Sequence, residues 1–384
     1  MKTIRFHQPK ELVFGDHCFK EFAERSLELP FSSFFIIADA HVVPMLAGWL
    51  DKLRKSGKQY QLFTEVISEP TARFFNSIRN GVEESSYDAV IGIGGGSVLD
   101  TAKLVAALSY SEQQVHDVFG IGMLMKRKLF LACIPTTSGT GSEVSPNAVL
   151  LDEDENLKKG VVSPYLVPDV AYIDPVLTYT VPPGVTAATG IDALTHCLEA
   201  YANKHAHPVT DLYALEGIRL IARSLEKACK QGGQADARAD VALGSLYGGL
   251  CLGPVNTAAV HALSYPLGGE YHIAHGISNA MLLPHVMEKN LPEAAERYAC
   301  IARAVGAAED GDTVQQARDC IAFISRLCAR IGIPANLSSY NIGKTDVPAL
   351  TKAAIKVQRL LKNNLRDLSE QEISEVYLAL IDEA

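Results

Sequence analysis

The chain has 384 residues, long enough for two domains with hydrophobic cores of their own. Hydrophobic residues make up 48% and charged residues 21%, the balance of an ordinary globular protein. A formal net charge of -9 speaks against a basic face able to hold a polyphosphate backbone, so nucleic acid is not an expected partner.

The opening stretch, MKTIRFHQPKELVF, has no long apolar run followed by small residues, and no signal peptide is expected. The eight cysteines are scattered without a C-x-x-C pair, the pattern of reduced thiols in a cytoplasmic protein. Apolar runs read as strands then alternate with helical patterns. Phe34–Ala38 is a strand ending at Asp39, and Val42–Lys55 reads as a helix. Gln61–Phe63 precedes a helix over Thr71–Glu84, and Ala89–Ile93 precedes one over Ser97–Ser109. Phe130–Ile134, Asn147–Leu151 and Val170–Ile173 complete the strands. Alternation of this kind implies an α/β domain with a mainly parallel, Rossmann-like sheet, placed at 1–182.

Two loops in this half suit a nucleotide. The strand at 89–93 runs into Gly94-Gly95-Gly96-Ser97, where bare glycines admit a phosphate close to the backbone. Ser97 is expected to cap the next helix, with Asp100 three residues on completing a capping box. Asp39 at its strand end would accept ribose hydroxyls and repel a 2′-phosphate, which favours NAD over NADP. It precedes the glycine loop, whereas the usual fingerprint places the acid after it. The second loop, Pro135–Glu143, is rich in small hydroxyl residues and glycine.

Strand signals stop after Pro182-Pro183, and 183–384 reads as an all-α domain. Helices are expected at about 185–203, 208–230, 236–252, 276–290, 293–306, 312–331, 346–359 and 369–383. Residues 241–269 carry no Asp, Glu, Lys or Arg, but their glycines and prolines argue for a buried helix and turn rather than a membrane span. The deepest cleft is expected between the two domains. Asp192 and His196 lie four apart, on one helix face, and His261 and His275 follow downstream. One carboxylate and three imidazoles suit Fe(II) or Zn(II). Spacing alone leaves the set balanced between ligands and ordinary core residues.

Together, Gly92-x-Gly94-Gly95-Gly96-Ser97-x-x-Asp100-x-Ala102-Lys103, Pro135-Thr136-Thr137-x-Gly139-Thr140-Gly141-Ser142-Glu143 and Gly190-x-Asp192-Ala193-Leu194-Thr195-His196-x-x-Glu199-Ala200-Tyr201 resemble the iron-containing (group III) alcohol dehydrogenase family. Further matching runs, among them His275-Gly276-x-x-Asn279-Ala280, extend the resemblance over essentially the whole chain. It implies NAD and a divalent metal, Fe(II) foremost, held by Asp192, His196, His261 and His275. It also implies a cofactor set of Asp39, Gly94, Gly95, Gly96, Ser97, Asp100, Thr136, Thr137, Thr140, Ser142 and Lys159. Members are commonly homodimers or larger homo-oligomers.

One position departs from the family. Many members carry His-x-x-x-His at the third ligand, and this chain reads His261-Ala262-Leu263-Ser264-Tyr265. A tyrosine, with an ordinary pKa of about 10, does not shuttle protons near neutrality as imidazole does. Tyr265 and His272 are therefore the candidates for proton handling. The expected activity is NAD(H)-linked hydride transfer between a small primary alcohol or hydroxy acid and its aldehyde. The alternatives are a non-redox cyclase of the dehydroquinate synthase type, a hydroxyacid-oxoacid transhydrogenase and a non-catalytic cofactor-binding protein.

Overall fold

The computed structural model describes residues 3–66, 69–155, 157–309 and 311–381. They fall into two compact units, Phe6–Val181 and a second formed by the residues from Pro182 onward together with those before Phe6.

The first unit contains β1 (Glu11–Phe14), α1 (Cys18–Glu28), β2 (Ser33–Ala38), α2 (Val43–Lys55), β3 (Gln59–Phe63), α3 (Ala72–Glu83), β4 (Ala89–Gly94), α4 (Gly96–Leu108), β5 (Gly120–Ile121), β6 (Phe130–Pro135), β7 (Asn147–Asp152), β8 (Leu157–Val162) and β9 (Val170–Ile173). Six strands form one parallel sheet in the order β1-β9-β6-β4-β2-β3. Strand β2 shows why its sequence is apolar without alternation. Phe34 and Ile36 pack on one face with Leu46 and Trp49, while Phe35 and Ile37 pack on the other with Phe75 and Val105. A strand covered on both faces needs apolar residues at every position. A second sheet, β5-β8-β7, carries the antiparallel pair β7 and β8.

The six expected strands are present. Three more, β1, β5 and β8, go beyond the expectation. Strand β1 is four residues at the sheet edge, β5 is two, and β8 carries Lys158 and Lys159 in its half-exposed face. Edge and half-buried strands give a weak apolar signal.

The second unit is helical: α5 (Pro183–Tyr201), α6 (Pro208–Lys230), α7 (Ala235–Leu252), α8 (Ala259–Tyr271), α9 (His275–Ala304), α10 (Thr313–Arg330), α11 (Val347–Ile355), α12 (Gln358–Leu361) and α13 (Glu370–Leu378). Three expectations are corrected. The segments 276–290 and 293–306 are one helix, α9, with Pro284 and Pro292 inside it. Each proline removes one backbone donor, and packing of α9 along α10 and α5 holds the helix together regardless. Conversely, 346–359 breaks between α11 and α12. The charge-free run ends in a helix of its own, α8, buried from Ala259 to Gly269. The expected helix end at 382–383 lies outside the described residues. Among the described residues, no helix is long and apolar enough to cross a membrane.

Candidate metal centre and cofactor cradle

The sheet order explains the position of Asp39. Strands β2 and β3 wind one way from the start of the sheet, and β4, β6 and β9 wind the other. The switch lies between β2 and β4, and ligands of such sheets bind at the carboxyl ends of the switch strands. Ala38 pairs with Ile93, and the Asp39 N–H donates to the Ile93 carbonyl at 2.9 Å. The acid thus stands beside the glycine loop although it precedes it in sequence. Its carboxylate accepts from the His41 N–H at 2.9 Å and keeps a partly exposed face.

The second loop joins the same end. Gly94 pairs with Pro135, and the Thr136 N–H donates to the Gly94 carbonyl at 3.0 Å. Gly94, Gly95 and Gly96 have ordinary φ. They are required by packing: a Cβ on Gly94 would lie 2.7 Å from the Val98 side chain, and one on Gly96 2.5 Å from Thr140 Cγ2. Thr140 and Thr137 therefore sit directly against the loop.

Helix α4 begins one residue earlier than expected. Gly95 is its N-cap, with no side-chain capping bond, and Ser97 lies inside the first turn. Asp100 closes no capping box. It is half-buried, accepting from Ser142 Oγ at 2.5 Å and from the Val149 N–H at 2.9 Å. Ser142 is itself only 2% exposed and accepts from the Lys103 ammonium, which is fully buried. These polar groups tie α4 to the 142–149 segment, so Asp100 and Ser142 serve the loop's shape. Lys159 is likewise engaged: its ammonium meets Asp152 at 2.7 Å and Glu155 at 2.8 Å. A helix start without a side-chain cap, fed by a close-packed glycine turn, suits a pyrophosphate.

In the helical unit, α5 sets Asp192, His196 and Glu199 on one face at spacings of four and three. Helix α8 supplies His261, and α9 opens on His275. Ligand atoms of Asp192, His261 and His275 lie within 4.8 Å of one another. His196 Nε2 is 3.9 Å from Asp192 Oδ1, and its ring stacks on His261 at 4.7 Å. All four expected residues are brought together. Glycine again permits the approach. A Cβ on Gly276 would lie 2.0 Å from the Ala188 carbonyl oxygen, so the start of α9 is pressed against α5.

Two further residues complete the cluster. Glu199 accepts from the Ala258 and Val260 N–H groups at 3.0 and 2.6 Å, capping α8, whose N-cap Ala258 offers no side chain for the purpose. Its Oε2 also lies 2.6 Å from His261 Nδ1. A proton on Nδ1 leaves the Nε2 lone pair facing the cluster, the arrangement that a metal-binding imidazole needs. Asn279 points its Nδ2 at Asp192 Oδ1 (2.8 Å) and at the Nε2 atoms of His261 and His275 (3.2 Å each). Its own Oδ1 is buried without a hydrogen-bond partner. The signal for both was the helical spacing: Glu199 three past His196, Asn279 four past His275.

The electrostatics of the cluster fit a cation. Burial pushes Asp192 up, but His196, His275 and His261 outweigh it and hold the carboxyl well below its ordinary range. Burial pushes His261 down, and Glu199 and Asp192 together carry it up to about 9. A centre that binds a proton so firmly favours positive charge, which a divalent ion supplies in place of protons.

The expected proton-handling residues separate. Tyr265 is buried on α8, its ring 6.1 Å from that of His275. His272 is exposed in the left-handed C-cap of α8, with φ 55. Among the described residues its side chain makes no hydrogen bond, ion pair or ring contact.

Residues 9–175 match the iron-containing alcohol dehydrogenase family, and residues 186–381 match the Fe-containing alcohol dehydrogenase family, C-terminal. The chain is 43% identical over 331 residues to long-chain-alcohol dehydrogenase 1 of Geobacillus thermodenitrificans, covering 85% of this chain and 83% of that one. It is 35% identical to 1,3-propanediol dehydrogenase of Citrobacter freundii, over 96% of each chain. The crystal structure of a 1,3-propanediol oxidoreductase superposes with a TM-score of 0.94 at 33% identity, over 99% of this chain and 100% of that one. Members of this family use NAD(H) and a divalent metal, mainly iron. A parallel sheet with its switch at the glycine loop, a helical unit gathering one Asp and three His, and matches along nearly the full length lead to one conclusion: the chain belongs to the iron-containing alcohol dehydrogenase family.

Proposed function

We propose that the chain interconverts a primary alcohol and its aldehyde with NAD(H), using a divalent metal held by Asp192, His196, His261 and His275. The observation that carries this reading is the buried cluster itself. Three imidazoles and one carboxylate converge, one imidazole is fixed by Glu199, and an asparagine amide sits among the ligand atoms. When bound, the metal supplies Lewis-acid polarisation of the substrate oxygen, and the nicotinamide accepts or donates the hydride.

The chain's own residues have the supporting roles. Asp39 receives the adenosine ribose and favours NAD. The Gly94–Ser97 turn and the start of α4 take the pyrophosphate, with Thr136, Thr137 and Thr140 as flanking hydroxyl donors. Glu199 orients His261, and Asn279 braces Asp192. Tyr265 presents a buried phenol beside His275 on the substrate side. Three expected contacts are left out of this assignment: Asp100, Ser142 and Lys159 are committed to partners within the first unit. The proposed state is a homo-oligomer in the cytoplasm. Eight free cysteines, seven of them buried, support a reducing compartment.

The deciding experiment is anaerobic NADH oxidation with a panel of short aldehydes, with Fe(II), with Zn(II) and with chelator. Turnover restored by metal and abolished by chelator is the expected result. NADH binding without turnover under any metal would overturn the reading.

A further inference from the structure

The buried stripe of α9 is not apolar throughout. Leu283, Met287, Asn290 and Tyr298 recur on it at helical spacing, and the last two are polar. Burying a polar side chain is costly unless its donors and acceptors are met. Asn290 is served by Asn364: each amide donates to the other's oxygen, at 2.9 and 2.7 Å. Tyr298 is 2% exposed, and its hydroxyl has the Asn290 amide as a hydrogen-bond partner. Burial pushes the phenol up, so the hydroxyl keeps its proton and remains a donor at neutral pH.

These three residues share a cavity of about 10 Å³ with Glu199, the carboxylate that fixes His261. The remaining lining is apolar, and every residue around the cavity is buried. The volume is about that of one water. Apolar cavities stay dry, whereas a buried water is held where two to four polar groups converge. Four polar side chains line this one. Glu199 also has an acceptor site to spare. It takes the Ala258 and Val260 N–H groups and lies 2.6 Å from His261 Nδ1. That is three of the roughly four bonds a carboxylate accepts.

We infer that the cavity holds one water, which accepts from the Tyr298 hydroxyl and donates to Glu199, and that Tyr298 is thereby a positioning residue for His261. This rests on the metal reading above. Tyr298 touches neither metal nor substrate. It holds the carboxylate so that Oε2 stays on Nδ1 and the Nε2 lone pair stays turned to the cluster. The line runs from α9 through the water to α5, and from Glu199 to α8.

The test measures metal affinity, by titration against a chromophoric chelator, in the parent, Tyr298→Phe, Glu199→Gln and the double variant. A hydrogen bond of ordinary strength corresponds to about a 3- to 10-fold change, and Tyr298→Phe should lose that much in the parent while NADH binding holds. In the Glu199→Gln background the same change should cost less than about twofold, because the charge that the water supports has gone. An unchanged affinity in Tyr298→Phe, or equal losses in both backgrounds, overturns the inference and leaves the metal reading standing. A second readout needs no variant. A high-resolution crystal structure of the metal-loaded protein should show one ordered water within hydrogen-bonding distance of Tyr298 Oη and of a Glu199 oxygen, and a dry cavity overturns the inference. If the cluster takes up no metal, the metal reading fails instead. The same crystallographic water, and coupling between the two substitutions in urea unfolding, then decide the Tyr298–Glu199 link by themselves.

Discussion

At the scale of single residues, the centre depends on groups that are not ligands. Glu199 caps a helix and fixes an imidazole with the same carboxylate. Glu199→Gln keeps the size and one acceptor but removes the charge that holds the Nδ1 proton. Loss of such an outer partner typically weakens metal affinity 10- to 100-fold. We expect a drop of about that size for Glu199→Gln, with far-UV circular dichroism unchanged. Titration against a chromophoric chelator measures it, and an unaltered affinity would refute the role given to Glu199. Asp39 shows a residue whose meaning was visible but whose place was not. Its chemistry pointed to a ribose, while its position before the glycine loop looked wrong. Only the strand order, which sequence does not display, puts it beside Gly94.

At the scale of elements, close contact between helices and loops sets the geometry. Helix α9 is pressed onto α5 at Gly276, where a methyl group would stand 2.0 Å from a carbonyl oxygen. Gly276→Ala must push the two helices apart, and overpacking of this kind costs about 1–3 kcal/mol. Because His275 is the adjacent residue, metal affinity should fall with the melting temperature. A lower melting temperature with affinity retained would show that His275 is not positioned by this contact. Glu143, in the loop after β6, gives a pH-dependent case. Burial raises its pKa to about 7, against the pull of its own backbone N–H and of Lys103. The folded state binds this proton more tightly than the unfolded chain does. Its stabilising effect is therefore full below the ordinary carboxyl range and is lost as pH rises through about 7. Glu143→Gln keeps the neutral form at every pH. Urea unfolding should show the variant gaining roughly 2–3 kcal/mol on the parent between pH 5 and pH 8. An equal gap at both pH values would remove Glu143 as the titrating group. Elements also mark the limit of what periodicity reveals. Strands buried on both faces, such as β2 and β4, were legible from their unbroken apolar runs. Helix α8 was not, because its glycines and Pro266 hide a helix that tertiary burial sustains. The caps and the Asp100–Ser142 tie were also out of reach, since they depend on which loops meet.

At the scale of the whole molecule, the two proposed ligands bind different units, and each should leave its own footprint. A ligand that binds only the folded form stabilises it by an amount set by its concentration over its Kd, about 2.7 kcal/mol at a hundredfold excess. Amides that exchange through opening of the binding region slow accordingly, by roughly 100-fold. Adding metal should protect α5, α8 and the first turns of α9, where Asp192, His196, His261 and His275 sit. Adding NADH should protect the ends of β2 and β4 and the start of α4. Hydrogen exchange with mass spectrometry resolves these segments. The first unit offers the metal a competing seat, because ligand atoms of His116, Asp152 and Asp154 also lie within 4.8 Å of one another. Two of the three are exposed, and Asp152 already holds the Lys159 ammonium at 2.7 Å, so a cation arriving there must displace one in place. Among the described residues no lysine or arginine pairs with Asp192, whose charged neighbours are the three histidines, and this cluster should win by a wide margin. Metal-dependent protection centred on the β7–β8 hairpin would reverse that ranking and take the metal away from Asp192 and its three histidines.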